Sequence, residues 1–266
     1  MHKDTLQWLV PVLLAVGVAL SLWFYWASTN RISDPTPTLP EETVALPEPA
    51  TTEPLYPLRD PGDMKVDRPA LQPLPPLHQS DEFLELELRD LFGDTLTPLL
   101  VDSRLIERIV ATIDNLPREH VAERIRPIGG IDGSFLADGQ DDSGELKLDP
   151  ENYARYDALV ALLVNTDSAR LVEMYRRFYP LLQKSYVELG YPDGYFNDRA
   201  VEVIDHLLEA PELTEPPALV RPNVLFEYAD PELENLSSGQ KLLLRMGSKH
   251  AAEIKQKLRE LRAMIV

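Results

Sequence analysis

The sequence predicts a mainly α protein. It reads as an all-α helical-bundle domain over residues 80–266 with one short β-hairpin or loop insertion, preceded by a single transmembrane anchor (1–30) and an acidic, proline-rich disordered linker (31–79). Three observations carry this reading. Between Trp8 and Ala27 twenty consecutive residues lack a charge, half of the 24 prolines crowd between Arg31 and Ser80, and apolar residues recur at helical spacing through most of the remainder.

At a rise of about 1.5 Å per residue, the uncharged run spans about 30 Å, the thickness of a bilayer's hydrocarbon core. Pro11 falls near its start, where a missing N–H costs little, and Trp23, Phe24, Tyr25 and Trp26 form an interfacial aromatic cluster at its end. The competing reading is a cleaved signal peptide, which needs a shorter apolar core and a small-x-small site; Ala27-Ser28-Thr29 after bulky aromatics is a poor one. Lys3 is offset by Asp4 and Arg31 by Asp34, so flanking charge does not orient the span. The short N-terminal tail and the long acidic remainder favour an N-terminus inside, which in a bacterium places the C-terminal domain in the periplasm.

The linker's prolines, including Pro35, Pro37, Pro40, Pro47, Pro49 and the pair Pro75-Pro76, block helices and ladders, and its apolar residues are too scattered to build a core. An extended, partly polyproline-II chain is expected, with an upper reach of about 150 Å and about 40 Å as a coil. A spacer is the plainer expectation than a ligand for an aromatic groove, because no motif repeats.

In the domain, Ser80 is the expected N-cap of a helix over Asp81–Phe92 that Gly93 stops. Asp102 or Ser103 is expected to cap the next, striped by Leu105, Ile106, Ile109, Val110 and Ile113, and a short helix is expected over Arg118–Arg126. Pro127 to Leu148 reads as a β-hairpin or Ω-type loop. Helices resume at Pro150, first one lined by Tyr153, Tyr156, Leu159, Val160 and Leu163, then one lined by Leu171, Met174, Tyr175, Phe178 and Leu182 that Pro180 should kink. Asp198–Glu209 follows, then Val224–Tyr228 as strand or extended chain. A final helix over about Ser238–Ile265 is expected to hold its basic residues away from the apolar side.

The net charge is −18, of which residues 81–239 carry about −19 and residues 240–266 carry +5. A nucleic-acid partner is excluded on this balance, since such partners demand a basic footprint. The basic C-terminal helix is most simply a complement to the acidic body, the alternative being a docking surface for an acidic partner. There are no cysteines, so thiol catalysis, zinc–thiolate sites and disulfides are ruled out.

Each candidate for chemistry has a plainer reading. Glu202 and His206 share a helix face beside Asp205, but a single pair is not a metal site and a hydrogen-bonded histidine is the expectation. The loop Asp138–Glu145 has four carboxylates but fails the EF-hand spacing, so a solvated turn is expected over calcium. In Tyr175-Arg176-Arg177-Phe178-Tyr179, helical spacing sends Tyr175 and Phe178 to the core and leaves the arginines solvated or paired with acids. No nucleophile elbow, His-Glu-x-x-His pair or phosphate loop occurs. No catalytic, metal-ligating or cofactor-binding residue is therefore assigned, and no cofactor is expected.

Several strings together resemble a known family. Asp114-Asn115-Leu116-Pro117-Arg118-Glu119, Pro150-Glu151-Asn152-Tyr153-Ala154-Arg155-Tyr156, Tyr175-Arg176-Arg177-Phe178-Tyr179-Pro180, Phe196-Asn197-Asp198-Arg199, Val203-Ile204-Asp205-His206-Leu207-Leu208 and the run Gly239–Gly247 are similar to a bacterial family of unknown function, domain-of-unknown-function 3014. The likeness covers nearly all of residues 81–266. It implies a single-span inner-membrane protein with a periplasmic domain and no assigned activity, and it transfers no catalytic residues. The expected function is a membrane-anchored periplasmic binding or scaffolding module of the cell envelope. Its expected partners are the lipid bilayer, through residues 8–27, and an envelope protein or cell-wall component. The alternative is a tethered hydrolase of cell-wall polymers using paired carboxylates.

Overall fold

Eight helices and a small antiparallel sheet make up the structure, a computed structural model that describes residues 53–58, 73–130, 135–139, 146–223 and 225–266. All of these belong to one folded unit, Thr51–Val266. The expected span at 8–27, residues 31–52 and 59–72 of the linker, and residues 131–134 and 140–145 of the expected hairpin or loop lie outside the described residues. Among the described residues no helix is long and apolar enough to cross a membrane.

The first two helices show local pattern and tertiary contact acting together. Helix α1 (Asp81–Phe92) buries Leu84 and Leu88, and ends at Gly93, whose φ of 67° suits a residue without a Cβ. Ser80 precedes it as expected, yet its hydroxyl donates to the Leu77 carbonyl at 2.7 Å instead of accepting from the helix. Helix α2 (Leu105–Asn115) buries Leu105, Ile106 and Val110. Neither Asp102 nor Ser103 caps it. The Asp81 carboxylate, from the start of α1, accepts the N–H groups of Arg104 and Leu105 at 2.7 and 2.8 Å. That bond holds Arg104 in the left-handed region at φ 57° and satisfies orphan donors of the helix end.

The helix expected over Arg118–Arg126 is corrected to a single 3-10 turn, Glu123–Ile125. Its carbonyls are taken by α2 instead: Arg108 donates to Arg124 O and Arg126 O, and the Thr112 hydroxyl to Ile125 O at 2.8 Å. With those acceptors occupied, little remains to propagate an intrasegment ladder.

The hairpin forms as β1 (Ala137–Asp138) and β2 (Leu146–Leu148), but it is half of a larger element. β2 pairs with β3 (Ala218–Val220) and β3 with β4 (Glu227–Tyr228), all antiparallel. The inner face, Leu146, Leu148, Leu219 and Tyr228, packs on Leu244.

The single helix expected after Pro150 is two, α3 (Glu151–Ala154) and α4 (Asp157–Asn165), with a turn between them. Helix α5 (Ser168–Leu189) is capped by Asp167, which accepts from Ala169 and Arg170, and it continues through the exposed Pro180. Helix α6 spans Phe196–Leu208, α7 Pro231–Glu234, and α8 Ser238–Ile265. One core joins α1, α2 and α5 around Leu105, Ile106, Phe178 and Phe196; a second joins α4, α6 and α8 around Val160, Val203, Leu243 and Met246. Each such large apolar side chain contributes about 1.5–3 kcal/mol when buried. Helix α8 is not uniform: Gly247 has non-helical backbone angles, so two helical halves meet there.

Arg245, Lys249 and Arg259 of α8 are exposed as expected, but three of its lysines are not held apart from the interior. Lys241, Lys255 and Lys257 are each buried, and each ammonium sits on the C-terminal end of another helix. Lys241 donates to Glu234 O at the end of α7, Lys255 to Ala210 O just past α6, and Lys257 to Thr166 O just past α4, at 2.7, 2.6 and 2.8 Å. Orphan carbonyls and the negative end of a helix dipole make such places favourable for a cation, and Glu234, Glu212 and Glu260 complete the pairing. Burial alone would raise the Glu234 carboxyl, but hydrogen bonds from Lys241 and the Tyr228 N–H, with the charges of Lys241 and Arg245, hold it below its ordinary value. The stability it lends is therefore present at neutral pH and lost as the pH falls through its folded-state pKa.

Lys255→Met keeps the buried stem but removes the donor to Ala210 O. It is expected to lower the unfolding free energy by about 1–3 kcal/mol, the cost of stranding a buried acceptor. Urea denaturation checks this, and an unchanged midpoint would show that the ammonium is dispensable.

Candidate functional site

The most specialised surface arrangement lies where α6 begins and α8 ends, and its occupant is part of the proline-rich segment. Residues 53–58 pack on the folded unit there, and residues 73–79 pack elsewhere, with Leu74 and Leu77 in the first core. The segment 53–58 alternates: Glu53, Leu55 and Pro57 are exposed, while Pro54, Tyr56 and Leu58 are half-buried. Tyr56 and Leu58 enter an apolar cluster built on Val172, Val201 and Ile265.

Two adjacent side chains of α6 hold the segment's backbone. Asp198 accepts the Leu55 N–H on one carboxylate oxygen and the Tyr56 N–H on the other, at 3.0 and 2.8 Å. Asn197, 1% exposed, donates through Nδ2 to Tyr56 O at 2.7 Å and to Ile265 O at 2.9 Å. Its Oδ1 accepts from the Tyr175 hydroxyl at 2.9 Å, which orients the amide and leaves none of its donors unused. Burial pushes the Tyr175 phenol far above its ordinary value, and Tyr179 and Asp198 push the same way, so it remains a donor. Arg262 borders the site, doubly bonded to Asp205, which together with Tyr56 favours its charged form.

The site is positioned by the residues on either side of the pair. Phe196 is fully buried, and its N–H donates to Gln183 Oε1 at 2.8 Å. Arg199 donates to the Asp114 carboxylate at 3.0 Å and to the Asp114 carbonyl at 2.8 Å. Asp114, 2% exposed, also accepts from Arg118 at 2.9 Å and from the Tyr191 hydroxyl at 3.3 Å. Phe196-Asn197-Asp198-Arg199 thus divides its tasks: the outer two residues lock the helix start, and the inner two grip a peptide backbone.

The residues singled out in the sequence have separate roles. His206 Nε2 lies 2.8 Å from the Ser237 hydroxyl, while Glu202 pairs with Arg199 at 2.9 Å, so the two are not brought together. Among the described residues no group of three or more His, Asp or Glu side chains is placed to hold a metal ion. Of the loop Asp138–Glu145, residues 140–145 lie outside the described set. Phe178 is in the core and Arg177 pairs with Glu87 and stacks 4.9 Å from the Phe83 ring, as the spacing suggested. Arg176 departs from the expectation: it donates to Met264 O at 2.7 Å, on the last turn of α8. Sequence reasoning passed over Tyr56, Asn197 and Asp198. Two signals bore on them: Leu55-Tyr56-Pro57-Leu58 is an unusually apolar stretch of the linker, and an Asn-Asp pair at a helix start invites a backbone partner.

An open groove of about 330 Å³ lies on another face, lined by Arg104, Glu107, Arg108, Arg124, Ser185 and Glu188. Arg108 is committed to the carbonyls of Ser103, Arg124 and Arg126, and Arg104 to Glu107 at 3.4 Å.

Neither the curated proteins nor the solved structures contain a match to this chain. A family model does match, described as a protein of unknown function (DUF3014), and it aligns with residues 105–262, from the first residue of α2 almost to the end of α8. That span takes in the Asp114–Arg199 lock, the Asn197–Asp198 pair and the three buried lysines, and the chain belongs to the DUF3014 family.

Proposed function

We propose that this chain is a membrane-anchored binding or scaffolding module of the bacterial cell envelope. In this reading residues 8–27 form a single inner-membrane span, with the N-terminus cytoplasmic and the folded unit in the periplasm. The observation that carries it is the uncharged run Trp8–Ala27 followed by a proline-rich segment, part of which the folded unit grips through Asn197 and Asp198. Gripping at residue 53 shortens the leash to residues 28–52, which fully extended reach about 80 Å. A body of about −19 is repelled by anionic lipid headgroups, which supports a domain facing away from the bilayer. Among the described residues the most buried carboxylate, Asp114, is engaged by two arginines, which supports a binding role over hydrolysis by paired acids.

Fractionation tests the anchor. In carbonate-washed membranes the full chain is expected in the pellet and a chain lacking residues 1–30 in the supernatant. Protease added to spheroplasts is expected to degrade the folded unit. Release of the full chain by carbonate, or shielding from protease, would overturn the location. Crosslinking in intact envelopes is expected to recover a reproducible partner, and repeated failure to do so would count against the binding role.

A further inference from the structure

The crevice around Tyr56 has the make-up of a peptide-recognition site. Extended ligands are recognised by main-chain hydrogen bonds, with pockets for alternate side chains. Here Asp198 receives two successive N–H groups, Asn197 donates to the Tyr56 carbonyl that follows them, and an apolar cluster receives Tyr56 and Leu58. Pro54 and Pro57 preorganise the chain between them, which lowers the entropy lost on docking. The two sides of the contact differ in character. Asn197, Val172, Val201 and Ile265 of the site are buried, with Asn197 fixed by Tyr175 and flanked by the fully buried Phe196, while Asp198 is half-buried. The segment is an outlying strap, and Leu55 at its centre is 77% exposed.

We propose that this crevice is a peptide-binding site whose resident ligand, Leu55-Tyr56-Pro57-Leu58, is a removable latch that leaves and returns without unfolding of the domain. Attachment through residues 59–72 keeps the ligand at an effective concentration on the order of millimolar, so a modest intrinsic affinity suffices for high occupancy. The inference is independent of whether residues 8–27 span a membrane.

The test uses the full chain in detergent and a fluorescein-labelled peptide of residues 51–60, followed by anisotropy. Tyr56→Ala empties the crevice of its own ligand, so that variant is expected to bind the peptide about tenfold more tightly than the wild type, whose latch competes. Leu55→Pro, which deletes one N–H donated to Asp198 and changes no residue of the domain, is expected to act in the same direction. Adding Asp198→Ala to either variant is expected to abolish binding, and a peptide with alanine in place of tyrosine is not expected to bind. Equal binding by wild type and both latch variants, or binding that survives Asp198→Ala, would overturn the proposal. So would loss of cooperative thermal unfolding in both latch variants, since the segment would then be core. A wild-type dimer that dissociates as peptide is taken up would assign the resident segment to a second copy and defeat the latch in cis.

Discussion

Asp114→Ala is expected to lower the unfolding free energy by about 3 kcal/mol, the lower end of the range for breaking a buried ion pair by removing one partner. For a unit of this size that corresponds to a fall in Tm of about 6–12 °C. The lower end follows from what is left behind. Arg199, with 18% of its side chain exposed, keeps Glu202 at 2.9 Å, so its guanidinium is not stranded. What is lost is the carboxylate that ties α2 to the start of α6 and to the Tyr191 hydroxyl, at a position only 2% exposed. Arg118→Ala serves as the internal comparison. That arginine makes a 2.9 Å contact with the same carboxylate, but over half of its side chain is exposed, and its removal is expected to cost under about 1 kcal/mol. Urea and thermal unfolding of both variants read the difference. A Tm within about 2 °C of wild type for Asp114→Ala would show that the lock contributes no net stability.

The lock also shows what could be read in advance. Helices with a clean apolar stripe, such as Leu105–Asn115 and Phe196–Leu208, were legible because burial follows a period that the chain displays locally. Their ends were not. The donors at the start of α2 are satisfied by Asp81, 23 and 24 residues earlier, and no local rule points that far. Of the sheet, the hairpin and an extended stretch holding β4 were legible but their union was not, because the strands are two or three residues long and β2 meets β3 across some seventy residues. The buried lysines ran against expectation for a related reason. A lysine is placed in solvent by default, and only the convergence of three helix ends on α8 gives Lys241, Lys255 and Lys257 acceptors worth burying for. The peptide grip was hidden by composition: proline content argued for a free linker, yet Tyr56 and Leu58, and separately Leu74 and Leu77, pack on the folded unit.

Gly247→Ala is expected to cost about 2–6 kcal/mol, from two sources that a double-mutant cycle separates. Gly247 has φ 81° and ψ 162°, a region populated essentially by glycine alone, so an alanine there carries about 1–3 kcal/mol of backbone strain. A Cβ at this position would also lie 2.8 Å from ring carbons of Tyr153, closer than contact allows, and overpacking of that kind adds about 1–3 kcal/mol. Tyr153→Ala removes the ring but not the backbone strain. In its background, Gly247→Ala is expected to cost about 1–2 kcal/mol less than in the wild type. No rescue would assign the whole cost to strain, and full rescue would assign it to the ring. Gly130→Ala, with nothing within 4 Å of its Cβ and no left-handed φ, is the control and is expected to stay within about 0.5 kcal/mol. The break at Gly247 sets the course of the second half of α8, which carries Lys255 and Lys257 to their helix ends and brings Ile265 O to Asn197. Strain at Gly247 should therefore reach the crevice as well as the core. Hydrogen exchange at the Leu55 and Tyr56 amides in Gly247→Ala is expected to be faster than in the wild type, whereas Lys255→Met, which leaves the break intact, is expected to leave those two amides protected.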